Sequence, residues 1–76
     1  MLLAIRIRKI REAYQLTQEE VAFKCNMSAS AYGQIERRAG RSSYDTLSKI
    51  AEAIGVSVAF LIDIDNQEFI EQKYKL

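Results

Sequence analysis

Apolar residues recur at helical intervals along nearly the whole chain. Leu3, Ile7, Ile10 and Tyr14 are spaced by four, three and four positions, which places them on one face of a helix. Arg6, Arg8, Lys9, Arg11 and Glu12 fill much of the remaining surface, so a first helix is predicted over about Leu3 to Tyr14. Thr17-Gln18-Glu19-Glu20 has the form of a capping box. The Thr17 hydroxyl accepts from the Glu20 amide, and the Glu20 carboxylate accepts from the Thr17 amide. A second helix follows, with Val21, Ala22 and Cys25 facing inward, and Asn26 suits a left-handed residue at its end. Ser28 is the next N-cap candidate, opening a third helix from Ala29 to about Arg37 with Tyr32 and Ile35 inside.

Arg38 to Ser43 reads as a loop, with Gly40, two serines and two arginines. Ser42 or Ser43 caps a fourth helix, where Leu47, Ile50, Ala51 and Ile54 give the clearest periodicity in the chain and Gly55 is the stop. Ser57 caps a short fifth helix, Val58 to Ile62. The pattern therefore predicts an all-α domain over residues 1–62 and a tail over 63–76. Two readings of the tail stay open. Asp65-Asn66-Gln67-Glu68 resembles a capping box leading into a helix with Phe69, Ile70 and Tyr74 on one side, whereas Ile62 to Asp65 alternates like a strand. The helix is preferred.

Composition narrows the function classes. With 76 residues and 49% apolar content, the chain has material for one modest core. A domain of this size buries only roughly 60–65% of its unfolded surface, so association with a second copy would help it. There is no histidine, hence no histidine general base or metal ligand, and Cys25 stands alone without zinc or disulfide spacing. Such cysteine usage suits a reducing compartment, normally the cytosol, and a cytoplasmic protein is expected. The longest apolar run, Val58 to Ile62, is far shorter than a membrane span, and Met1 to Ile5 precedes its charges, the reverse of a signal peptide. No nucleophile with a base, phosphate-cradling glycine loop, metal cluster or small-molecule site is evident. No catalysis, metal or cofactor is expected.

The net charge of +1 hides an asymmetry. Residues 1–43 carry eight Lys/Arg against four acids, and residues 44–76 three Lys against six acids. One half thus suits a polyanion and the other something else, although ordinary solvated charge would look the same.

Two helices joined by a connection as short as Asn26 to Ser28, with a small Ala22 at their crossing, have the form of a helix-turn-helix. Four segments carry a closer resemblance: Ile7-Arg8-Lys9-Ile10-Arg11, Leu16 to Ala22, Gln34-Ile35-Glu36-Arg37, and Thr46 to Ser57. In this order and spacing the chain resembles the lambda-repressor-like, or Xre/Cro, family of DNA-binding domains over Arg6 to Ile62. The resemblance implies five helices with the third in the major groove of double-stranded DNA. It implies base contacts from Ala29, Ser30 and Gln34, phosphate contacts from Gln18, Arg37, Arg38, Arg41, Ser42 and Ser43, and an ion pair between Arg11 and Glu36. Glutamine matches adenine in the major groove, helix N-termini attract phosphate, and an arginine fork can hold a carboxylate with two bonds.

The chain departs from the family pattern in several places. Gln15, Asn26 and Arg38 stand where glycine is usual, and Ser42 where proline is. Tyr32 replaces a smaller aliphatic, so its hydroxyl needs the surface or a partner. Gly33, in the middle of a helix, either lets DNA approach closely or is drift on an exposed face. Ala59 and Phe60 stand where polar residues are usual; with Phe69 they are candidates for a homodimer interface, unless the tail folds back over Phe60. The function implied is a palindrome-binding repressor or autoregulator of bacterial, phage or plasmid type, of a length that also fits restriction–modification controllers. The alternative is a helix-turn-helix adaptor or antitoxin-type module that acts through a protein partner.

Overall fold

The computed structural model describes residues 2–63, which form five α-helices and a 3-10 turn. They are α1 (Leu2–Ala13), α2 (Gln18–Lys24), α3 (Ala29–Arg37), the 3-10 turn Ala39–Arg41, α4 (Tyr44–Ile54) and α5 (Val58–Leu61). The readings of Phe69, Ile70, Tyr74 and the 65–68 capping box lie outside the described residues. Among the described residues, no helix is long and apolar enough to cross a membrane.

Local chemistry sets the boundaries. Thr17 and Glu20 form the reciprocal capping box, at 3.1 and 2.8 Å. Ser28, Ser43 and Ser57 each accept from the amide three residues on, satisfying an orphan donor at the start of α3, α4 and α5. Gly55, at φ 99°, ends α4 in the left-handed region. Gln15 (φ 59°) and Asn26 (φ 58°) take the same conformation without glycine's freedom, so both turns carry backbone strain.

The core gathers one stripe from every element: Ile7 and Ile10 of α1, Val21 and Ala22 of α2, Tyr32 of α3, Leu47, Ile50, Ala51, Ala53 and Ile54 of α4, and Leu61 of α5. Ala22 is fully enclosed where α2 crosses α3, the position that requires a small side chain. Cys25 and Ile35 are only half-buried, as is Val58.

Four positions depart from the periodicity. Tyr14 is 48% exposed because α1 has already ended at Ala13. The segment Arg38 to Ser43 is not plain loop: its 3-10 turn drives Ala39 fully into the core, against α1. Gly33 is buried rather than on an exposed face. A Cβ there would stand 3.4 Å from both the Gln18 Oε1 and the Arg37 Nη1 atoms that cover it.

The largest departure is Arg6, which the spacing assigns to the polar side of α1 and which is 1% exposed. Its Nε donates to the carbonyls of Phe60 and Leu61 at 3.1 and 3.0 Å, and its Nη2 also donates to Phe60. The guanidinium lies 5.0 Å from the Phe60 ring centroid, within cation–π range. Burial pushes its pKa down, partly offset by Asp63. The C-terminal carbonyls of α5, where the helix dipole is negative, thus receive the guanidinium together with the charge of Asp63.

Candidate nucleic-acid interface

A buried network fixes the position of α3. Arg11 donates through Nε and Nη2 to the two oxygens of Glu36, at 2.8 and 3.2 Å, and through Nη1 to the Leu16 carbonyl at 2.8 Å. The Tyr32 hydroxyl donates to the same carboxylate at 2.7 Å, and Gln18 Nε2 donates to it at 3.1 Å. One carboxylate therefore ties together α1, the start of α2 and α3. Burial alone would raise its pKa; hydrogen bonds from Arg11, Tyr32 and Gln18 outweigh that and hold it below the ordinary value. The Tyr32 hydroxyl is pushed up, by burial first and then by Glu36, so it stays a proton donor. Burial works against the Arg11 charge, but the bonds to Glu36 prevail and raise its pKa.

Gln18 is thus not an open surface amide. Its Nε2 is engaged with Glu36 and its amide lies over Gly33. A Cβ at position 33 would meet that amide only at ordinary van der Waals distance, so the buried glycine is covered by Gln18 and Arg37 without being sterically required there.

On the outer side of α3, Ser30, Ala31, Gln34 and Arg37 are exposed, and Ala29 is half-buried. Arg38 and Arg41 follow, also exposed, and with Arg37 and Gly40 they line a recess of about 460 Å³. None of these three arginines makes a side-chain hydrogen bond or ion pair among the described residues. The nearest carboxylate on α3, Glu36, is already committed to Arg11. Three unneutralised guanidiniums beside an exposed helix make a local positive field suited to a polyanion. Ser42 is half-buried, and the Ser43 hydroxyl caps α4 while donating to Thr46 Oγ1 at 3.0 Å.

Two neighbours escaped the sequence reading. Arg8 of α1 lines a groove together with Arg37, extending the basic surface across α1. Tyr44, 62% exposed, directly follows the basic turn. The only sign of either in the sequence is a polar or aromatic residue without a core position. Cys25 lies elsewhere; its Sγ is 3.7 Å from the Lys49 carbonyl, and burial pushes the thiol pKa up, against a reactive thiolate.

Comparison with known proteins agrees with this geometry. Residues 7–61 match the family model described as helix-turn-helix. The control protein C.BamHI of Bacillus amyloliquefaciens is 32% identical over 74 residues, which cover 96% of this chain and 91% of that protein. The immunity repressor protein of Bacillus phage phi105 is 39% identical over 57 residues, 75% of this chain but 40% of that protein. The uncharacterized HTH-type transcriptional regulator YobD of Bacillus subtilis is 31% identical over 70 residues, 90% of this chain and 62% of that protein. No solved structure matches the chain significantly. The tight α2–α3 crossing, the ordered α3 face and the family match over most of the chain lead to one conclusion: this chain belongs to the helix-turn-helix family of Xre-like, non-enzymatic DNA-binding transcriptional regulators.

Proposed function

We propose that the chain acts as a repressor or autoregulatory controller that binds a palindromic operator as a homodimer, with α3 in the major groove. The observation that carries this reading is the run of Arg37, Arg38 and Arg41, unpaired among the described residues, beside the exposed face of α3. In this arrangement Ala29, Ser30 and Gln34 face base edges. The arginines, Ser42, Ser43 and the start of α2 at Gln18 follow the backbone. Likeness to a control protein over nearly its whole length, and to a phage immunity repressor, supports a regulatory output. Selection of duplexes from a random pool is the test. Enrichment of a two-fold-symmetric site, with half-sites about 10 base pairs apart centre to centre, is expected. A pool that stays random would overturn the reading.

Arg38→Ala and Arg41→Ala are each expected to weaken binding to all sequences alike, since phosphate contacts carry no sequence information. Each should also lower the slope of log affinity against log salt by about 0.9. An unchanged slope in a salt titration removes the residue from the interface.

The dimer is proposed to form through α5 and the tail, 63–76, with Ala59, Phe60 and Phe69. Phe60 is half-buried with its ring against Arg6, so less of it is free than its sequence position suggests. A carboxylate at position 60 would also sit beside the Arg6 guanidinium. Ala59 is exposed and is the cleaner probe. Ala59→Glu is expected to keep its helical signal yet sediment as a monomer, with affinity for a full palindrome falling toward that for a half-site. A parent chain that is monomeric at high micromolar concentration defeats the dimer.

A further inference from the structure

A groove of about 420 Å³ runs along α3 into the basic turn, lined by Ala31, Gln34, Ile35, Arg38, Arg41 and Ser42. Ala31, Ile35 and Arg38 fall at i, i+4 and i+7, so one helix line carries an exposed methyl, a half-buried aliphatic chain and an exposed guanidinium in sequence. The exposed Gln34 amide lies beside them. We propose that this groove receives a thymine-bearing stretch of duplex DNA. The Ala31 and Ile35 hydrocarbon takes the thymine 5-methyl group, next to the base pair that Gln34 engages, and Arg38 and Arg41 hold the strand's phosphates.

The argument is one of exclusion at a base edge. Ala31 and Ile35 offer no hydrogen-bond donor or acceptor beyond their backbone, so they gain nothing from the N and O atoms of guanine, cytosine or adenine. Cytosine at that place would press its N4 amine against hydrocarbon and lose water without replacement. Thymine alone presents an apolar group in the major groove. The charge of the groove matches the strand that carries the base, because Arg38 and Arg41 have no carboxylate partner among the described residues. Ala31 thereby becomes a specificity residue, which the family resemblance did not assign to it.

This proposal rests on α3 being the reading helix, and the experiment separates the two claims. The full chain first selects its site from a random duplex pool. Each thymine of that site is then replaced singly by deoxyuridine, which deletes only the methyl, and affinity is measured by fluorescence anisotropy. One thymine per half-site is expected to lose about fourfold in affinity, the worth of one buried methyl. In Ala31→Ser, which keeps the helix and adds a hydroxyl, that penalty should shrink; in Ile35→Val it should shrink less. Equal affinity with uracil at every position overturns the methyl contact while leaving α3 as the reading helix. A full uracil penalty retained by both variants likewise overturns the assignment to Ala31 and Ile35. A pool from which nothing is selected overturns the helix assignment and this proposal with it, before any uracil is introduced.

Discussion

Arg11→Ala is expected to lower the unfolding free energy by about 3–5 kcal/mol, the range for removing one member of a buried ion pair. Both partners are close to fully enclosed, Arg11 at 7% and Glu36 at 3% exposure, so the discount owed to a surface pair does not apply. The variant leaves Glu36 charged among Tyr32 and Gln18, with hydrogen bonds but no cation, and leaves the Leu16 carbonyl without its donor. A domain of this length has about 4–11 kcal/mol in total, so the loss takes a large share. Urea melts followed by circular dichroism provide the check, and a midpoint equal to the parent's would contradict the network. The same carboxylate gives an acid arm. Its folded pKa lies below its ordinary 4.5, so its contribution is complete above that value and fades as pH falls through the lower folded one. Glu36→Gln should start less stable at neutral pH and lack that component of acid loss.

Arg6→Ala is expected to cost about 3–5 kcal/mol by a different route, combining a core cavity with lost carbonyl partners. The Phe60 and Leu61 carbonyls lose their donor, and the Phe60 ring loses the cation beneath it. Arg6→Met separates the two parts, since it refills the space without restoring the hydrogen bonds. Its melting temperature should fall between those of the parent and Arg6→Ala. Arg6 Nη1 is buried without a hydrogen-bond partner among the described residues, so the native arginine itself carries a desolvation cost that methionine removes. A methionine variant as unstable as the alanine one would show that the carbonyl bonds dominate.

The readable parts of this fold were those governed by local chemistry. Thr17, Ser28, Ser43 and Ser57 announce helix starts because each satisfies an amide three residues away. Leu47 to Ile54 announces a core face because its stripe is unbroken. Arg6 was hidden by its charge, although at i+3 from Leu3 and i−4 from Ile10 it borders the apolar stripe of α1; the distant carbonyls of α5, with Asp63, make that position tolerable. Ala39 was hidden because one small residue in a basic segment has no period to reveal it. The candidate interface divides in the same way. Its residue types and order were legible, but not that Gln18 would be held by Glu36, nor that Arg8 would lie beside Arg37. Those depend on how α1 and α2 meet α3.

The bonds from Arg6 to Phe60 and Leu61 span 54 and 55 positions, nearly the length of the described domain. During vectorial synthesis, Arg6 leaves the ribosome long before its acceptors exist. At about 5–20 residues per second, several seconds of translation separate the two. Throughout that interval α1 carries a guanidinium whose carbonyl acceptors have not yet been made. The buried seat of Arg6 is therefore complete only once Leu61 has been made.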